Sequence, residues 1–201
     1  MTGSTDHPDL IAEARRTARR LLGVGSDRWR HTAAVARRAG ELAALLRVDP
    51  EPLVAAAWLH DIGYAKALAV TGFHPLDGAR YLAEQGWPTR IAGLVAQHSG
   101  AWYVAAARGL ADALSAYAGE TGLTSDLLTY ADQTVGPVGQ PLTVRERNVE
   151  MLRRHGPDSA NARVNVERLA FLEAVAVRVE ACLDAAASRH VHGSGHLTLS
   201  G

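Results

Sequence analysis

The stretch Leu53-Val54-Ala55-Ala56-Ala57-Trp58-Leu59-His60-Asp61-Ile62-Gly63-Tyr64 sets an imidazole beside a carboxylate at the end of a run that is apolar on nearly every side. Asp49-Pro50-Glu51-Pro52 in front of it reads as a helix start, a capping aspartate followed by prolines in the first turn, where no amide donor is needed. A helix with no polar face belongs in the centre of a bundle. Ending it with His60 and Asp61 carries two polar, metal-competent groups deep into the protein, where burial without partners is costly. The pair therefore needs an ion or a hydrogen-bonding network. Adjacent His-Asp pairs arise by chance in most proteins of this size, so the meaning of this one depends on whether distant residues complete a site around it.

The chain of 201 residues is long enough for one domain with a substantial core. Its apolar share of 47% is rich in alanine and contains two phenylalanines, a composition that favours helices over sheets and predicts an all-α fold. We expect a single domain over residues 1–187, with a core at about 28–135, helices in 143–187 packed on it, and a disordered tail at 188–201. Lys+Arg and Asp+Glu each total 21, so no general basic field exists to hold nucleic acid or an anionic membrane. Any anionic ligand must be held by a local site. All basic residues but Lys66 are arginine, which we read as coding bias. The lone Cys182 cannot form an internal disulfide, and Met1 to Asp9 lacks the apolar core of a signal peptide, so a cytoplasmic location is expected. Charges or glycines interrupt every apolar run before the roughly 20 residues that a membrane helix needs.

The flanking segments read as further helices. In Asp9–Leu22, Leu10, Ile11, Ala14, Ala18, Leu21 and Leu22 recur at helical spacing, with Arg15, Arg16, Arg19 and Arg20 on a solvated face. Gly23-Val24-Gly25 breaks the pattern, and Ser26 or Asp27 caps a second helix that runs through His31 to about Leu46. His31 stands one turn before the inward Ala34 and Val35 and shares their face. After Gly63, which loosens the chain, a loop with Tyr64, Lys66, Thr71 and Gly72 leads to His74-Pro75. There the next helix opens, to close at Gly86-Trp87-Pro88. A neutral imidazole at such a helix N-terminus serves as ligand or cap.

A helix after Pro88 carries Ile91, Leu94 and Val95 to His98, and Ser99-Gly100 ends it. Trp102 to Ala118 is predicted as one helix bent near Gly109. Ser125 is expected to cap a short helix that delivers Asp132, and the Gly- and Pro-rich loop from Thr134 to Leu142 follows as the rim of a pocket. Val144 to His155 and Ala160 to Ala187 are scaffold helices, the latter with the stripe Val164, Phe171, Val175, Val179 and Leu183 and with Cys182 as a small buried hydrophobe. In the tail, His190, His192 and His196 carry no pattern.

His31, His60, Asp61, His74, His98 and Asp132 thus lie at or near the ends of apolar helices, from five separate segments. Helical bundles build metal sites by such convergence. The set holds no thiolate, which argues against a closed structural zinc site and for a hydrolytic or oxidative metal with open positions, Mn²⁺, Fe²⁺, Zn²⁺ or Mg²⁺.

In its order of His31, then His60-Asp61-Ile62-Gly63, then Asp132, the chain resembles the HD-domain metal-dependent phosphohydrolases over roughly Trp29 to Gln133. The resemblance implies an all-α HD-domain bundle with a metal held by His31, His60, Asp61 and Asp132. His74 and His98 match, in order, the extra histidines of the subgroup that binds two metals, in which the aspartate of the pair bridges the ions; Asp61 would be the bridge here. The subgroup often has lysine directly after His-Asp-Ile-Gly, whereas this chain has Tyr64 there and Lys66 two residues later. Many members have paired histidines where this chain has Gln97-His98, and no Gly-Tyr-Pro motif follows.

The chemistry so implied is hydrolysis of a nucleotide or another small phosphoester, with one or two divalent ions per chain. A bound cation lowers the pKa of its water to about 7 and neutralises charge on the phosphoryl oxygens. Asp61 and Lys66 are the expected catalytic groups, and Lys66 and Arg145 the expected phosphate-binding cations, with Arg147 as a further candidate. Two other readings fit the same residues: a di-iron oxygenase of the HD type, and a metal- or nucleotide-binding module without turnover.

Overall fold

The computed structural model describes residues 9–193, with side chains described as far as Arg189. His190, His192 and His196 therefore lie outside the described side chains. The regular elements are helical: α1 (Leu10–Leu22), α2 (Asp27–Leu46), α3 (Pro50–Leu59), α4 (His74–Glu84), α5 (Thr89–Gln97), α6 (Ala101–Ala107), α7 (Ala111–Ser115), α8 (Leu123–Gln133), α9 (Val144–His155), α10 (Ala160–Arg163) and α11 (Asn165–Gly193). Short 3-10 turns join them at Ile62–Tyr64, Lys66–Leu68 and His98–Gly100. Among the described residues the β-structure is limited to an isolated antiparallel bridge between Val135 and Pro141, and no helix is long and apolar enough to cross a membrane.

The helix starts follow local chemistry. Asp9, Ser26 and Asp49 each accept a hydrogen bond from a first-turn amide, at Ala12, Trp29 and Glu51 respectively. Thr143 and Glu146 close a reciprocal capping box at the head of α9. As its sequence demands, α3 is central: Pro52 to Ala57 and Leu59 are buried, and it packs against α1, α2, α5 and α8. Leu53, Val54, Ala56 and Ala57 join the apolar cluster built with α2, α8 and α11. Ala55 and Leu59 join a second cluster, with α1 and α5.

Four local expectations change. The segment 102–118 is not one bent helix, because Gly109 takes a left-handed backbone (φ 69°) and separates α6 from α7. Helix α8 starts at Leu123 after Gly122, so Ser125 lies inside its first turn and is not the cap. Helix α11 continues six residues past Ala187, to Gly193. Cys182 is only half-buried.

Gly63 proves to be a contact point and not merely a loosening of the chain. A Cβ there would stand 2.0 Å from the carbonyl oxygen of His74 and 2.7 Å from the amide of Gly78. Only a glycine lets the turn after His60-Asp61 press directly on the start of α4, and that contact brings His74 beside the pair.

Candidate metal centre

The end of α3 delivers His60 and Asp61 into the interior, where they are 0% and 3% exposed. His60 Nδ1 lies 2.8 Å from the carbonyl of Ala57, and His98 Nδ1 lies 2.6 Å from that of Val95. Both carbonyls belong to the last turn of a helix, where they lack an intrahelical donor. His31, on α2, places Nδ1 3.0 Å from the carbonyl of Gly136 in the loop after α8. With Nδ1–H donating outward, each of these three rings presents an Nε2 lone pair to the centre.

Two groups of ligand atoms result, each lying within 4.8 Å of one another: His31, His60 and Asp132, and Asp61, His74 and His98. Asp61 stands between them. Its Oδ2 is 3.4 Å from His60 Nε2 and 3.7 Å from His31 Nε2, while its Oδ1 is 3.3 Å from His74 Nε2. All six sequence-predicted metal ligands are thus brought together.

Asp132 is oriented by neighbours on its other side. Ser99 Oγ donates to its Oδ2 at 2.5 Å and Gln133 Nε2 donates to the same oxygen at 2.7 Å, which leaves Oδ1 turned toward His31 Nε2 at 3.0 Å. Ser99 holds this position from a left-handed backbone (φ 54°), its amide donating to Thr129 Oγ1 at 3.2 Å.

The electrostatics are those of a cation site. Burial alone would raise both carboxyl groups, but Arg28 and His60 hold Asp61, and the neighbouring His31 ring, with His60 and Arg147, holds Asp132, well below the usual carboxylate range. Burial pushes His74 and His98 down, toward neutral imidazole. Burial would also lower His60, but the Asp61 carboxylate overrides it and raises the ring, a measure of how much negative charge it faces. Among the described residues, His60 Nε2 is nevertheless fully buried without a hydrogen-bond partner. A buried lone pair aimed at two carboxylates is destabilising unless a cation lies between them. Nitrogen and oxygen atoms held at roughly 2.0–2.2 Å from an ion stand about 3 Å or a little more apart, as these do. The residues present therefore fit divalent metal, and the separation into two groups fits two ions.

Of the three cations considered from the sequence for phosphate binding, Arg147 lines the cavity over the ligands and Lys66 and Arg145 do not. Lys66 is exposed on its 3-10 turn and is not part of the cavity over the ligands. Arg145 is also exposed and pairs with Glu173 at 2.6 Å, because the first turn of α9 faces it outward along α11. The cavity is walled instead by Arg28, Arg147, Arg154 and Arg168. Arg28 Nη1 is 2.5 Å from Asp61 Oδ2, and Arg147 Nη2 is 3.9 Å from Asp132 Oδ1 while its Nη1 pairs with Glu150.

A signal for these arginines was present. Arg28 precedes His31 by one helical turn and so shares its face. Arg147 sits on the buried stripe of α9 with Val144, Asn148 and Met151, and Arg168 lies one turn before the buried Leu172 on the inner face of α11. A charge on an apolar stripe is informative even in an arginine-rich chain.

Comparison with known proteins agrees with this geometry. Ribonuclease Y of Acidothermus cellulolyticus is 38% identical over 80 residues, which cover 40% of this chain and 16% of that protein. The chain thus spans a small part of the length of that relative. No solved structure matches. The HD domain family matches residues 28–136, more than half of the chain, from Arg28 on α2 to Gly136, whose carbonyl orients His31. With every ligand of the centre inside that match, the chain belongs to the HD domain family.

Proposed function

We propose that this protein is a metal-dependent phosphohydrolase acting on a nucleotide or another small phosphate compound. The observation that carries the reading is the position of Asp61, with one carboxylate oxygen toward each group of histidines and a guanidinium at 2.5 Å from one of them. When bound, divalent cations at these groups would supply an acidified water and neutralise charge on phosphoryl oxygens.

The chain's own residues account for the rest. Neutral imidazoles hold a cation without cancelling its charge, and the two aspartates cancel only part of it. Arg28 and Arg147 are placed to take the phosphoryl oxygens, with the planar donor pair that suits them; in this reading they replace Lys66 and Arg145. Ser99 and Gln133 fix one oxygen of Asp132, so the other cannot rotate away from His31. The low exposure of the centre strengthens each of these interactions relative to open water. A ribonuclease also cleaves a phosphorus–oxygen bond, so the similarity to ribonuclease Y supports the same reaction class.

The test is metal analysis of the purified protein, together with anaerobic turnover of generic phosphoesters and nucleotides in the presence of Mn²⁺, for the native chain and Asp61→Ala. The expected result is bound metal, hydrolysis without dioxygen, and loss of both in the variant. A metal-loaded native protein that hydrolyses nothing across a broad panel overturns the reading, and turnover that requires iron and dioxygen would assign the centre to an oxygenase.

A further inference from the structure

Arg154, His155, Asn161 and Arg168 line the same cavity from α9, α10 and α11, outside the residues that match the HD domain family. Arg168 is 8% exposed. Its Nε donates to the carbonyl of Ser99 at 3.0 Å, and among the described residues its guanidinium has no carboxylate partner. Arg154 Nε donates to Glu150 Oε1 at 3.1 Å, and Glu150 also takes Arg147. One carboxylate therefore serves two guanidinium groups while a third, the most deeply buried of the cavity's outer pair, has none.

The charge balance shows what is missing. Arg28, Arg147, Arg154 and Arg168 face Asp61, Asp132 and Glu150, an excess of one positive charge before any metal is counted. One or two divalent cations at the aspartates raise the excess by two or four. A phosphate monoester brings about two negative charges at neutral pH, which the metal centre alone would absorb. Arg154 and Arg168 contact neither aspartate directly, standing one residue further out, at Glu150 and Ser99. Arg168, buried and without a carboxylate partner among the described residues, is unfavourable as it stands, and Arg154 beside it has only a share of Glu150, so this outer pair is suited to an anion of its own.

We propose that Arg154 and Arg168, with Asn161 beside them, form an outer anion subsite for a second phosphate group linked to the one at the metal centre. The preferred ligand then carries two linked phosphates, and a lone monoester fills only half of the site. The inference rests on the phosphohydrolase reading for what happens at the inner phosphate, but the subsite itself is a matter of binding.

Calorimetric titration of the full-length, Mn²⁺-loaded protein with methylphosphonate and with methylenediphosphonate, whose P–C–P bridge is not hydrolysed, tests it without turnover. The native protein should bind the diphosphonate at least about tenfold more tightly, the range of a charged hydrogen bond. In Arg154→Gln that preference should fall by roughly tenfold, with methylphosphonate affinity and metal content changed less than about twofold. Arg154 is partly exposed, so this variant keeps its fold. Arg168→Gln should behave in the same way, Arg168→Lys should retain part of the preference, and Arg145→Gln, outside the cavity, should change nothing. Equal affinity for the two ligands in the native protein, or equal weakening of both in Arg154→Gln, overturns the subsite. If generic esters are hydrolysed but the diphosphonate has no advantage, the subsite fails and the hydrolase reading stands; if the diphosphonate is preferred but nothing is hydrolysed, the reverse holds.

Discussion

The phenol ring of Tyr64 lies flat on the imidazole of His74, with ring centroids 4.1 Å apart and planes 16° from parallel, and the Arg28 guanidinium lies 3.9 Å from the centre of the same phenol ring. His31, His60 and His98 are each oriented by an Nδ1 hydrogen bond to a backbone carbonyl. Among the described residues His74 makes no such bond, so the aromatic stack takes over the task of holding its ring. Tyr64→Ala should therefore weaken metal binding at Asp61, His74 and His98 by about tenfold or more, while the group of His31, His60 and Asp132 keeps its affinity. Tyr64→Phe should bind like the native chain. A metal titration that resolves two steps gives the answer, and an unchanged second step in Tyr64→Ala would remove the role assigned to the stack.

Gly63 is the position where the HD turn touches α4. Adding one methyl group 2.0 Å from a backbone carbonyl forces the turn and the helix apart. Gly63→Ala should cost roughly 3 kcal/mol of stability and displace His74 from Asp61. Chemical denaturation measures the first effect and metal stoichiometry the second; a variant with native stability would show that the contact yields easily.

The metal-free protein should lose stability as pH falls below about 6.5. Burial lowers His98 and His74, so in the folded state both stay neutral while the unfolded chain takes up protons; their contribution is complete above the ordinary histidine value and declines below it. His60 acts in the opposite sense, because its raised value gives stability below the ordinary value that disappears as pH rises through its folded one. Asp61 and Asp132, both lowered, contribute above about pH 4 and lose that only as pH falls through their folded values, so they do not change in this window. Below about pH 6.5 the His60 contribution is complete, so only the two lowered rings change there and the result is a loss. Urea midpoints in chelator should fall as pH drops from about 6.5 to about 5, with a shallower decline in His98→Asn; a flat or rising profile in that window would contradict the assignment of His74 and His98 as neutral groups.

If the phosphohydrolase reading holds, Arg28→Lys should lower kcat/KM for p-nitrophenyl phosphate by about ten- to a hundredfold with the fold intact. Lysine keeps the charge but not the planar pair of donors that reaches Asp61 and a phosphoryl oxygen together. Native-like turnover in this variant would mean that Arg28 serves only to pair with Asp61.

Much of this architecture was legible in the sequence because it depends on local pattern. The capping residues Ser26 and Asp49, the apolar periodicity of α2 and α11, and the polar pair at the end of an all-apolar helix each act over one or two turns. The six candidate ligands that the fold gathers could be picked out for the same reason, as each ends or interrupts an apolar segment. Local reading failed where a neighbour distant in sequence decided the outcome. Lys66 and Arg145 stand near the site segments along the chain, yet the turn after Tyr64 and the first turn of α9 face them to solvent. Arg147 is legible as a candidate by its nearness to the site segments, whereas Arg28 and Arg168 are not singled out by sequence, because arginine is common here and its charge alone says nothing about burial.

The sequence by itself determined that the chain is helical, where most of the helices begin, and which imidazoles and carboxylates are available for a metal, because capping, periodicity and ligand chemistry are properties of neighbouring residues. Only the tertiary structure decided that Asp61 turns one oxygen toward each group of histidines, that Tyr64 stacks on His74, and that an arginine from α11 stands above the centre with no carboxylate partner among the described residues. Those relationships join residues tens of positions apart, and their strength depends on distance and on the exclusion of water, quantities that exist only once the helices are packed.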